Sequence, residues 1–79
     1  MTIAPNGTVL EVEEQVELAA LPAPVQEGIR KRTGAGKVTK VESVTKRGVL
    51  TAYEAQVRTG NKHFEVQVGP NGQALNHNA

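Results

Sequence analysis

From Thr8 to Leu18 the chain reads TVLEVEEQVEL, with Leu10, Val12, Val16 and Leu18 on even positions and Glu11, Glu13, Gln15 and Glu17 on odd ones. A period of two rich in valine predicts a strand with one apolar face, interrupted by Glu14. A helical spacing (Val9, Val12, Val16) is the poorer fit, although Glu and Gln are good helix formers. The period then changes. Leu21, Val25 and Ile29 recur at i, i+4 and i+8, which predicts a helix with a narrow apolar stripe. Leu21-Pro22-Ala23-Pro24 opens it, because proline is tolerated where the first-turn N–H has no partner anyway. Arg30, Lys31 and Arg32 suit the negative end of its dipole, and Thr33-Gly34-Ala35-Gly36 stops it.

Beyond Lys37 the pattern is strands and turns. Val38, Val41 and Val44 are spaced by three, which one buried face accommodates only with a bulge. Arg47-Gly48 predicts a turn. Val49–Arg58 then alternates, with Tyr53, Ala55 and Val57 inward and Glu54, Gln56 and Arg58 outward. After Thr59-Gly60-Asn61, Phe64, Val66 and Val68 alternate with His63, Glu65 and Gln67. Gly69-Pro70-Asn71-Gly72 predicts a last turn and Gln73–Asn76 a weak final strand. The expected order is β-α-β-β-β-β, an α+β domain with one helix packed on one face of a curved antiparallel sheet.

Composition makes that core thin. Of 79 residues, eleven are Val and nine are Ala, against one Phe, one Tyr and no Trp. A fold of this size buries only about 60% of the surface its unfolded chain exposes. The absence of cysteine removes disulfides, thiolate chemistry and Cys-based zinc sites, and small domains without such staples often lean on a partner. No apolar run approaches the roughly 18 residues of a membrane span, and no basic-then-apolar signal sequence is visible.

Charge is balanced in total and uneven in position. The formal net charge is +1, but residues 1–29 carry five Glu and no base, while residues 30–79 carry nine Lys/Arg and three Glu. That asymmetry favours an acidic N-terminal strand lying against a basic body, in the same chain or a neighbouring one. Nucleic acid is a poor fit, since the phosphate interaction needs clustered positive charge and stacking needs aromatic residues.

The chain also echoes itself. Ile3-Ala-Pro-Asn-Gly-Thr-Val-Leu-Glu-Val12 aligns with Val68-Gly-Pro-Asn-Gly-Gln-Ala-Leu-Asn-His77 at an offset of 65 residues. Two accounts stand: shared turn chemistry, or descent from tandem modules. On the second account residues 1–17 are an N-terminal strand resembling the end of a preceding module, and 18–79 form the domain proper. Residues 3–16 would then pair with a sheet edge, in the same chain or as a swapped strand in a second copy, through Leu10, Val12, Val16, Glu11 and Glu13.

Leu21-Pro22-x-x-Val25 with Ile29, Gly36-Lys37-Val38-x-x-Val41-Glu42, Tyr53-Glu54-x-x-Val57, Phe64-Glu65-Val66 and Gly69-x-x-Gly72 together resemble the PepSY-like domains, which include modules likened to β-lactamase-inhibitor protein. The resemblance covers residues 18–76. It implies a helix against a curved antiparallel sheet, a periplasmic or extracellular bacterial setting, and a non-catalytic role in binding or restraining peptidases. It supplies no catalytic residue, metal or cofactor to carry over.

The residues themselves point the same way. His63 falls on an exposed strand face and His77 in the tail. Ser43 is the sole serine and there is no Asp, so a Ser-His-Asp arrangement is impossible within the chain. Glu13 and Glu14 face opposite sides of a strand and make a poor chelate. Gly34-Ala35-Gly36-Lys37 ends a helix rather than opening one, which excludes a phosphate loop. Asn6-Gly7-Thr8 matches a glycosylation sequon, and Asn-Gly serves a turn without it. Gln56-Val57-Arg58-Thr59-Gly60 is similar to the QxVxG hairpin of cystatins, but Arg58 stands where that motif has Val. The remaining candidates are protein contacts: Arg47 and Gly48 at one turn, Gly60 and Asn61 at another, and Gln56, Arg58, His63 and Glu65 on the outward face.

Overall fold

The computed structural model describes residues 2–3 and 9–75. In chain order they form β1 (Thr2–Ile3), β2 (Val9–Gln15), a 3-10 turn (Leu18–Ala20), α1 (Ala23–Thr33), β3 (Lys37–Lys46), β4 (Val49–Thr59) and β5 (Lys62–Val68). The strands make one antiparallel sheet in sequence order, β1-β2-β3-β4-β5, and α1 packs over β4 and β5. The α+β architecture follows from the periodicities. Two details differ at the ends. A two-residue β1 precedes the expected first strand, and the expected last strand contracts to a single bridge, Val68 to Ala74.

The helix starts where proline permits. The Val25 and Gln26 N–H groups both donate to the Pro22 carbonyl, at 3.0 and 3.1 Å, and Gln26 Nε2 donates to Leu21 O at 2.9 Å. Val25 and Ile29 are completely buried against Val41, Tyr53, Ala55, Val57, Val66 and Val68, with Val16, Leu18, Leu21, Val38 and Leu50 packed around them. An eleven-residue helix is marginal alone, so this contact is what holds it. Gly28 and Gly72 let the helix backbone meet the Gly69–Gly72 turn directly. A methyl group at Gly28 would run into the Gly72 carbonyl, and one at Gly72 into the Pro24 carbonyl.

Two bulges set the register. Thr39 is the extra residue in β3 between Val38 and Lys40, and it brings Val38 and Val41 onto one face. Thr51 is the extra residue in β4 opposite the Val44/Thr45 step. Each bulged threonine donates its hydroxyl across the ladder at 3.2 Å, Thr39 to Gln56 O and Thr51 to Val44 O. The spacing of Val38, Val41 and Val44 is therefore only partly reconciled. Val44 and its partner Ala52 are buried on the sheet face away from the helix, because no bulge separates Val44 from Val41.

The acidic strand pairs within its own chain. Glu11–Gln15 of β2 run antiparallel to Glu42–Lys46 of β3, and the ladder extends through Val16 N–H to Val41 O at 2.9 Å. β2 thus shares one sheet with the segment 18–75.

Candidate functional site

Strand alternation carries every second side chain of β2–β5 to the face that α1 does not cover. Across β3–β5 this face holds the buried pair Val44 and Ala52 at one end and, beyond them, Lys40, Glu42, Glu54, Gln56, Arg58, His63, Glu65 and Gln67. Gln56, Arg58, His63 and Glu65 are all exposed there, and they lie together, since Arg58 pairs with His63 and Gln56 with Glu65. Gln56, His63, Phe64 and Glu65 line a shallow concavity of about 280 Å³.

The two hairpin tips do not join one site. Gly60 and Asn61 sit next to the Arg58/His63 pair, but Arg47 and Gly48 lie at the far end of β4. Eleven residues of strand separate them, about 35 Å at roughly 3.3 Å per residue. The Arg47-Gly48 tip has its own peculiarity. Both residues are left-handed, Arg47 at φ 50° and Gly48 at φ 81°, and Arg47 is the sole non-glycine with positive φ among the described residues. A tight hairpin favours Asn or Gly there, so arginine is an expensive choice for the turn itself. Its backbone N–H closes the turn onto β2, donating to Leu10 O at 3.0 Å.

Of the proposed self-association residues, Leu10, Val12 and Val16 are half-buried, while Glu11 and Glu13 face away from the helix. Among the described residues, charge complementarity between acidic strand and basic body is realised at one place, where Glu11 lies 3.9 Å from Lys46. Glu13 does the opposite. Its carboxylate gathers with those of Glu42 and Glu54, ligand oxygens within 4.8 Å of one another, drawn from three adjacent strands. Sequence reading weighed Glu13 only against its neighbour Glu14 and missed this group, whose members are 29 and 12 positions apart along the chain.

Such a triad can take up a cation or a proton. The protonic response is visible at Glu54, whose pKa rises from 4.5 to about 7. Burial is the main cause, followed by repulsion from Glu65, a hydrogen bond with Glu13, and repulsion from Glu13 and Glu42. Gln67 Nε2 donates to Glu54 Oε2 at 3.0 Å, and Lys40 Nζ lies 3.7 Å from Glu42.

The basic cluster at the helix end is largely used locally. Arg32 donates to Gly28 O at 2.9 Å and Arg30 pairs with Glu27 at 3.2 Å. His63 is exposed on the strand face, and Ser43 is bonded only to the Glu14 carbonyl, at 3.5 Å. His77 and the Asn6-Gly7-Thr8 sequon lie outside the described residues. Among the described residues no helix is long and apolar enough to cross a membrane.

No protein-family pattern, curated protein or solved structure matches this chain.

Proposed function

We propose that the chain is a non-catalytic, PepSY-like protein-binding module that docks a protein partner, in the manner of a module restraining a secreted or periplasmic peptidase. The observation that carries this reading is the half-clad sheet. One helix covers one face, and the opposite face offers a contiguous, exposed set of mixed donors and acceptors in Gln56, Arg58, His63 and Glu65, rimmed by Gly60 and Asn61. A polar surface of this kind suits recognition of a folded partner better than capture of an apolar ligand. Arg47, with its left-handed backbone, supplies a second and separate contact point. Titration against a panel of purified secreted peptidases tests the reading. A stoichiometric loss of peptidase activity that Arg58→Glu abolishes, with the fold retained, supports it. Full residual activity at micromolar module concentrations across the panel sinks it.

A second reading, assembly by strand exchange through residues 3–16, draws on a specific correspondence. The antiparallel bridges Ile3–Val9 and Val68–Ala74 fall at equivalent positions of the internal echo, 65 residues apart along the sequence. Light scattering on the full chain and on a chain starting at Leu18 separates the readings. A monomer in both removes strand exchange.

A further inference from the structure

β5 is paired by β4 on one side, over an unbroken register from Tyr53–Val68 to Thr59–Lys62. On its other side the described residues return only once, at Ala74 opposite Val68. The phase of this free edge can be read from one hydrogen bond. Gly69 N–H points away from β4 and donates to Gln73 O at 2.8 Å. Backbone direction alternates along an antiparallel strand, so Gln67, Glu65 and His63 present their N–H and C=O groups to the same open side.

Native edges are usually blunted by proline, bulges or inward-pointing charges. Between Lys62 and Val68 there is no proline and no register shift, and the charges of Lys62 and Glu65 are what guard this edge. The core closes over Val66 and Val68 but stops short of Phe64, the single phenylalanine, which stays 42% exposed. The concavity around Gln56, His63, Phe64 and Glu65 wraps this same edge.

Charge decides which strand fits. Outward-pointing residues must pair with outward-pointing residues, which restricts antiparallel self-pairing to a few registers. Centring on Glu65 sets that carboxylate against its own copy, within the field that already raises the Glu54 pKa. Centring on His63 opposes two imidazoles, and centring on Val66 drives the partner into Ala74. Centring on Phe64 places His63 opposite Glu65 twice, an N–H donor against a carboxylate, with Phe64 against Phe64 in the close, non-hydrogen-bonded position. β2 of another copy would instead bring Glu11, Glu13 and Glu14 toward Glu65.

We propose that the free edge of β5 docks a second copy of this chain, antiparallel and about a two-fold axis at Phe64, so that one sheet runs through the dimer. This uses a different edge from strand exchange through residues 3–16, and only β5 pairing predicts crosslinking at position 64; the peptidase reading shares His63 and Glu65 but is tested by its own titration.

The chain has no cysteine, which makes single-cysteine probes clean. Under mild oxidation the Phe64→Cys variant should yield a disulfide-linked dimer, whereas Val49→Cys, more exposed but at the other end of the sheet, should not. Light scattering of the unaltered protein from micromolar to millimolar concentration should pass from the 8.4 kDa monomer to a mass twice that and stop. Glu65→Lys should weaken the dimer at least about tenfold, and the double variant His63→Glu/Glu65→Lys should restore it, because the exchanged charges still face each other. A monomer throughout the unaltered series overturns the proposal, and that series decides alone if a variant does not fold. Equal crosslinking at positions 64 and 49, no rescue in a folded double variant, or mass growing without limit also overturns it.

Discussion

Replacing Glu54 by glutamine should stabilise the protein, and only above mildly acidic pH. Glu54 has a pKa of about 7 in the fold against 4.5 for the ordinary side chain. The folded state therefore holds a proton that the unfolded chain has released, across the window from about pH 4.5 to about pH 7. Stability from this group is complete below that window and lost as pH rises through it. The shift corresponds to at most about 3 kcal/mol. Glu54 lies at a partly exposed surface among Glu13, Glu42 and Glu65, with Lys40 near Glu42, so solvent screening reduces the effect to about 1–2 kcal/mol. Glutamine reproduces the protonated form: its oxygen still accepts from Gln67 Nε2 and its amide still donates toward Glu13. Urea unfolding of both proteins at several values between about pH 4 and about pH 8 reads the difference, with Glu17→Gln as the control for loss of one exposed charge. The Glu54→Gln advantage should be near zero at the acid end and grow to its full value by the alkaline end. Parallel profiles, or a less stable variant at the alkaline end, would refute the account of the carboxylate group.

Three further outcomes follow from packing and turn geometry. Gly28→Ala should lower the melting temperature, because the helix-propensity gain of about 1 kcal/mol is outweighed by forcing the Gly72 backbone away, at about 1–3 kcal/mol or more. A higher melting temperature would show that the turn yields freely. Ile29→Ala, at a completely buried site, should cost about 2–5 kcal/mol, a fall of roughly 10 °C or more for a domain of this size, measured by thermal unfolding. Arg47→Asn should raise stability by up to about 1 kcal/mol in the same assay, since Asn accepts the left-handed backbone that arginine adopts at φ 50°. If Arg47 contacts a partner, that variant should bind less well while being more stable.

The elements were legible because their signals are local. Alternation through Val49–Arg58 and Phe64–Val68 named Tyr53, Ala55, Val57, Phe64, Val66 and Val68 as the inward residues, and all are buried except Phe64, which stays 42% exposed. Of the Leu21, Val25, Ile29 stripe, Val25 and Ile29 are buried within the helix, while Leu21, half-buried, lies just before its start at Ala23. The spacing in β3 was harder. Three valines three apart call for a bulge, yet they do not say which residue bulges or which valine is left on the far face. Thr39 takes the bulge and Val44 crosses over. The outward set Gln56, Arg58, His63 and Glu65 was also legible, because a two-residue turn at Gly60-Asn61 fixes the register of the hairpin that carries it. Arg47-Gly48 was legible as a turn, but its distance from the other tip depends on β4 running straight between them.

Sequence alone therefore determined the succession of one strand, one helix and three strands, most of the buried face and the polar outer hairpin. These depend on periods of two and 3.6 and on turn residues, all within about ten positions along the chain. Tertiary structure decided what no local period encodes. It brought Glu13, Glu42 and Glu54 together from three strands, let Gly28 touch Gly72, and among the described residues left the β5 edge open beside Phe64. Each of these depends on register and on how far one helix reaches across a sheet. The thin, valine-rich core covers one face and stops before the edge, and that shortfall leaves the surface on which partners can act.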